Sequence, residues 1–168
     1  QALICPRTRV GELSQWDEAK RPGVYVLFGF DPESGEPLAY IGEAENVFDR
    51  LQQHVGTKEF WNEAVFFSNK DQNLTKAHVK YLESRFLEIA SAGKRYKLEN
   101  GNIPQRPALP RSDRDSMEEY VDLARGLLGV LGHRLLEPPA ALVAPPPVLA
   151  QPGGNMVSAP SVSLTGTE

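Results

Sequence analysis

Apolar and polar positions along the centre of this chain fall into blocks, and each block predicts an element. Residues 23–30, "GVYVLFGF", form an apolar, β-rich run that reads as a buried strand. "DPESGEP" interrupts it with turn chemistry, Pro32 presetting one φ and Gly35 tolerating a positive one. "LAYIG" returns as an antiparallel strand. Asn46 is placed to cap a helix over "VFDRLQQHV", with Val47, Leu51 and Val55 on its inner face. "AVFFS", residues 64–68, is a third short strand. "LTKAHVKYLESRFLEIASAG" predicts a second helix, capped by Thr75, striped by Val79, Leu82, Phe86 and Ala90, and ended by Gly93.

A further stripe runs through "SMEEYVDLARGLLGVLG": Met117, Tyr120, Val121, Ala124, Leu127, Leu128 and Leu131 recur at helical spacing. Ser116 is the expected cap, with Glu119 as capping-box partner. Together the elements predict an α/β fold, an α+β sandwich. A small three-stranded antiparallel sheet is flanked by helices in the order β-β-α-β-α, with a C-terminal amphipathic helix added. The expected organisation is an N-terminal segment over 1–20, the main domain over 21–100, a connection and docked helix over 101–137, and a proline-rich disordered tail over 138–168. Half of the chain's 14 prolines lie in that tail, which has linker composition. Linkers lead somewhere, so a further C-terminal domain is expected. The absence of an initiator Met points to a trimmed product.

Composition narrows the function classes. The chain has 168 residues, one cysteine and a net charge of −4 from 18 basic and 22 acidic side chains. One cysteine leaves no internal disulfide and fits a reducing, cytoplasmic setting. No apolar run is long enough for a membrane span. No segment is basic, which counts against a protein that grips nucleic acid by charge alone.

Four polar positions ask for a chemical explanation. Arg50 and His54, four residues apart, share a helix face beside the apolar stripe. A guanidinium there suits phosphate oxygens, which it binds through two parallel hydrogen bonds; the plain alternative is a surface Arg and a surface His. Tyr25 and Tyr40 lie on adjacent strands and either converge on one face or simply fill it. Glu83 borders the second helix's stripe, where an acid is costly unless it pairs, with Lys80 or Arg85, or holds a metal. Zinc spacing is absent, the three histidines being His54, His78 and His133, and there is no GxxxxGK[ST] or GxGxxG loop. Cys5 has no evident base beside it.

The ordered set Gly23-Val24-Tyr25, Tyr40-Ile41-Gly42, Arg50 and a helical Glu83 resembles the GIY-YIG endonuclease domain, over residues 21–100. "YIGEAENVFDRLQQH" and "KDQNLTKAHVKYLESRFLEIA" look like a bacterial subgroup in which the nuclease domain precedes a proline-rich linker and a small domain of unknown function. The resemblance implies a cytoplasmic enzyme that hydrolyses phosphodiester bonds in DNA with one divalent metal, Mg²⁺ or Mn²⁺. It implies that Tyr25 is the general base or positions the attacking water, and that Tyr40 hydrogen-bonds the water or the phosphate. Arg50 would stabilise the phosphoryl oxygens, Glu83 would hold the metal, and His54 would assist proton transfer. Asn100 resembles the family's late Asn, and Lys76 and Lys80 are candidates for the DNA backbone. Val24 stands where the family has Ile. The acidic balance implies that another domain or a recruiting protein supplies affinity; the alternative is an inactive nucleic-acid- or protein-binding module on the same fold.

Overall fold

Residues 23–30 are apolar on both faces because both are covered. In a computed structural model of the chain, which describes residues 1–68 and 74–139, this strand is the centre of a five-stranded sheet. The strands are β1 (Ala2–Pro6), β2 (Gly23–Phe30), β3 (Pro37–Ala44), β4 (Trp61–Ser68) and β5 (Lys97–Leu98). Their order across the sheet is β1-β4-β2-β3-β5. β2 pairs antiparallel with β3 and β4, β1 antiparallel with β4, and β5 parallel with β3.

Alternation along β2 divides the core into two layers. Val24, Val26 and Phe28 face helices α2 (Lys76–Gly93) and α3 (Arg111–Val130). Tyr25 and Leu27 face helix α1 (Val47–Thr57) and two 3₁₀ segments, Arg7–Gln15 and Asp17–Lys20. Each fully buried large side chain, such as Trp61, Phe66 or Phe86, contributes about 1.5–3 kcal/mol of apolar burial. The Arg85 guanidinium, on α2, fastens α3 by donating from Nε and Nη2 to the Glu118 carboxylate at 2.7 and 2.8 Å. Among the described residues no helix is long and apolar enough to cross a membrane.

The α+β class follows the sequence pattern; the sheet is larger than the three strands expected. β1 is an edge strand made from "ALICP", whose run is too short to alternate and whose partner β4 lies far along the chain. β5 is only two residues long and exists because it pairs with β3. Residues 1–20, expected as a separate segment, pack on the sheet and on α1. β4 begins at Trp61 rather than at 64. α3 begins at Arg111, ahead of Ser116: Pro110 precedes it with φ −51°, preset for helix entry, and Asp113 lies in the first turn. Leu127 and Leu131, assigned by spacing to the inner stripe, are exposed, because Met117, Val121, Ala124 and Leu128 define the buried face. The proline-rich tail falls outside the described residues from position 140 on.

Candidate functional site at the β3 edge

Two capping residues set the helices that carry the site. Asn46 Oδ1 accepts the Asp49 N–H at 3.2 Å, so α1 starts directly after β3. Thr75 caps α2 through a capping box closed by His78. The glycines of both triplets are needed for close approach. A Cβ on Gly23 would lie 2.5 Å from the Phe67 carbonyl oxygen and 3.0 Å from Val47 Cγ2, and a Cβ on Gly42 would overlap the Tyr25 phenol. Gly42→Ala is therefore expected to cost about 1–3 kcal/mol as overpacking, measured by thermal denaturation, and to push the Tyr25 ring aside.

In the β2–β3 register Tyr25 faces Gly42 and Leu27 faces Tyr40, which puts the tyrosines diagonally on one face. Their ring centroids are 6.3 Å apart. The His54 ring completes a trio, 5.6 Å from Tyr25 and 5.3 Å from Tyr40. Tyr25 is 1 % exposed and His54 7 %. The Tyr25 hydroxyl and His54 Nε2 are hydrogen-bonded at 2.7 Å, while His54 Nδ1 is buried with no partner. A buried donor without an acceptor is the costlier defect, so the partners assign the proton to Nε2. His54 then donates to the Tyr25 oxygen, leaving the Tyr25 O–H to turn towards Tyr40 and the open side. The burial of His54 departs from the expected rim position, and Val55, assigned to the inner face, is exposed. The helix meets the sheet through Val47, Leu51 and His54, a 47/51/54 face rather than 47/51/55.

Glu83 lies on α2, on the other side of the sheet, and its charge reaches Tyr25 and Tyr40 past the β3 positions that β5 leaves unpaired. β5 pairs only with Leu38 and Ala39. Past it, Asn100 takes over the pairing: its Oδ1 accepts the Ile41 N–H at 3.0 Å and its Nδ2 donates to the Ile41 carbonyl at 2.7 Å. The next outward N–H, that of Glu43, favours the charged form of the Glu83 carboxylate. Of the pairings weighed for Glu83, Arg85 is spent on Glu118 and Glu88. Lys80 acts on Glu83 only by its charge.

The electrostatics tie the residues together. Burial and then the Glu43 carboxylate raise the pKa of Glu83 to about 7; the Glu43 N–H, Lys80 and Arg50 oppose them. Burial raises the Tyr25 phenol well above its usual range, helped by Tyr40 and resisted by Arg50. Burial and the Glu83 charge raise Tyr40. Burial, Lys58 and Arg50 push His54 down to about 4, so it is neutral at physiological pH. Arg50 thus reaches every titrating member of the group. It is exposed, its nearest side-chain partner is Gln53 Oε1 at 3.4 Å, and it makes no ion pair among the described residues.

Tyr25, Tyr40 and His54 are thus in contact, and the charges of Arg50 and Glu83 both act on the two tyrosines, which makes the five a candidate site. Lys80 lies near it, Lys76 is paired with Glu45 at 3.2 Å, and the Asn100 amide is committed to the Ile41 main chain. Cys5 is a buried free thiol whose pKa burial raises, in keeping with a structural role. Sequence reasoning missed Glu43, beside Glu83, and Lys58, whose ammonium sits over the Tyr40 ring 4.2 Å from its centroid. The spacing Arg50, His54, Lys58 repeats every four residues, a signal that was available.

Among the described residues no three His, Cys, Asp or Glu side chains form a metal cluster. A hard divalent ion needs fewer: one or two carboxylates, with water and substrate phosphate completing the shell. A half-buried carboxylate beside a second acid, held above its usual pKa by burial and by that acid's charge, fits that requirement. Compared with protein-family models, curated proteins and solved structures, the chain matches none.

Proposed function

We propose that this chain is a metal-dependent endonuclease of the GIY-YIG kind that hydrolyses phosphodiester bonds in DNA in the bacterial cytoplasm. The observation that supports the reading is the contact of two tyrosines and a histidine, acted on by the charges of an exposed guanidinium that makes no ion pair among the described residues and of a half-buried carboxylate. Phosphoryl chemistry needs that set: charge stabilisation, an oriented nucleophile and a held leaving group. Arg50 binds the non-bridging oxygens of the scissile phosphate. Tyr25 and Tyr40 orient the attacking water by hydrogen bonds. Of the two roles implied for Tyr25, burial favours positioning, because a phenol raised above its usual range does not ionise readily at neutral pH. His54 fixes the Tyr25 hydroxyl. Glu83, with Glu43 beside it, would hold Mg²⁺ or Mn²⁺, which supplies Lewis acidity and positive charge for the leaving oxygen.

Supercoiled plasmid incubated with the protein and either metal tests this directly. Nicked and linear product, abolished by EDTA, is the expected result. A second reading, binding without cutting, is favoured by one observation: neither phenol nor His54 is tuned near neutral pH as a base. Duplex binding with plasmid left intact under both metals would select it.

A further inference from the structure

Most cations of this acidic chain are committed to acids: Lys76 to Glu45 at 3.2 Å, Arg85 to Glu118 at 2.7 Å, Lys97 to Asp31 at 3.6 Å and Arg125 to Asp122 at 3.0 Å. Lys58 is different. It is half-buried, makes no ion pair among the described residues, and lays its ammonium on the face of Tyr40. It follows α1 as its C-cap, with its N–H donating to the His54 carbonyl at 3.0 Å. A structural reason exists, since a cation is favoured at a helix C-terminus and over an aromatic ring. That reason does not account for its position. The ammonium lies on the Tyr40 ring, close enough for its charge to act on His54, and pairs with no acid among the described residues. A partly desolvated ammonium in that state favours an incoming anion.

Lys58 stands eight residues beyond Arg50, which at about 1.5 Å per residue is roughly 12 Å along the helix axis. A duplex strand presents a phosphate about every 3.4 Å of its own axis, so both cations fall within the span of a few consecutive nucleotides. We propose that Lys58 binds a backbone phosphate flanking the one held by Arg50, so that the site takes a run of nucleotides rather than an isolated diester. The inference rests on the endonuclease reading and adds to it a second phosphate contact, made by Lys58.

The test counts ions. Binding of a fluorescent DNA duplex to the full chain is followed by anisotropy with EDTA present, from about 50 to 200 mM salt, for wild type, Lys58→Gln and Lys58→Arg. Each phosphate contact contributes about −0.9 to the slope of log K against log salt. Lys58→Gln is expected to flatten that slope by about 0.9 and Lys58→Arg to restore it. A melting curve of each variant accompanies the titration. A lower melting temperature for Lys58→Gln with an unchanged slope would show a purely structural role and overturn the proposal, as would an unchanged slope with unchanged stability. Those two outcomes leave the endonuclease reading standing. Failure of the wild type to bind any duplex overturns this proposal, while the endonuclease reading stands or falls on plasmid nicking.

Discussion

Arg50→Ala is expected to slow plasmid nicking by about 10²- to 10³-fold, the range found when one preorganised donor to a developing charge is removed. Stability should stay within about 0.5 kcal/mol of wild type, because the side chain is exposed and supports no packing. The adjacent Leu51 holds α1 to the core, and the guanidinium's nearest side-chain partner is Gln53 at 3.4 Å. A large loss of rate on an intact fold is the signature of a group that works only on substrate. Arg50→Lys keeps the charge but loses the planar fork, so it should recover only part of the rate. The positive charge also depresses His54 and Glu83, so Arg50→Ala should raise both pKa values. A histidine NMR titration moving upward from about 4 would check that effect without substrate. Nicking by Arg50→Ala at the wild-type rate would remove Arg50 from the chemistry and attribute the cutting to something else in the preparation.

The elements read correctly from sequence are those whose signals are local. The caps Asn46 and Thr75, and the Val79, Leu82, Phe86 and Ala90 stripe, act within a few residues, and each is found in the structure. β1 and β5 were illegible because their identity lies in their partners: Ala2 pairs with Phe67, and Lys97 with Leu38. The same division holds at the site. The candidate residues were legible from the two triplets, Arg50 and Glu83. That His54 is buried was not, because choosing between positions 54 and 55 takes the angle at which α1 meets the sheet. The role of Asn100 was equally hidden, since a side-chain amide that replaces a strand partner is a long-range event. The glycines gain a physical reason only in three dimensions: Gly42 leaves room for the Tyr25 phenol, and Gly23 for the approach of Val47.

Glu83→Gln is expected to abolish metal-dependent cutting, a fall of at least about 10³-fold, while making the metal-free protein more stable at alkaline pH. The two effects have one cause. The carboxyl rises from its ordinary 4.5 to about 7 in the fold, chiefly by burial and then by Glu43. A raised acid binds its proton more tightly folded than unfolded. Its contribution to stability is therefore present below pH 4.5 and is lost as pH rises through about 7. Above that the ionised carboxylate opposes folding by about 1–2 kcal/mol, after discounting the full shift for partial exposure. Glutamine carries no such term, so at pH 8 without metal the variant should melt roughly 3–6 °C above wild type, and at pH 4 the two should coincide. Divalent cation should reverse the order. At 100 times its dissociation constant it adds about 2.7 kcal/mol to a protein that binds it only when folded, and only the wild type should gain. Affinity for the cation should fall about tenfold per pH unit below 7, because proton and metal compete for the same oxygens. A wild type that still melts roughly 3–6 °C below Glu83→Gln at pH 8 with Mg²⁺ or Mn²⁺ present would show that the carboxylate binds neither ion, and the proposed chemistry would lose its metal.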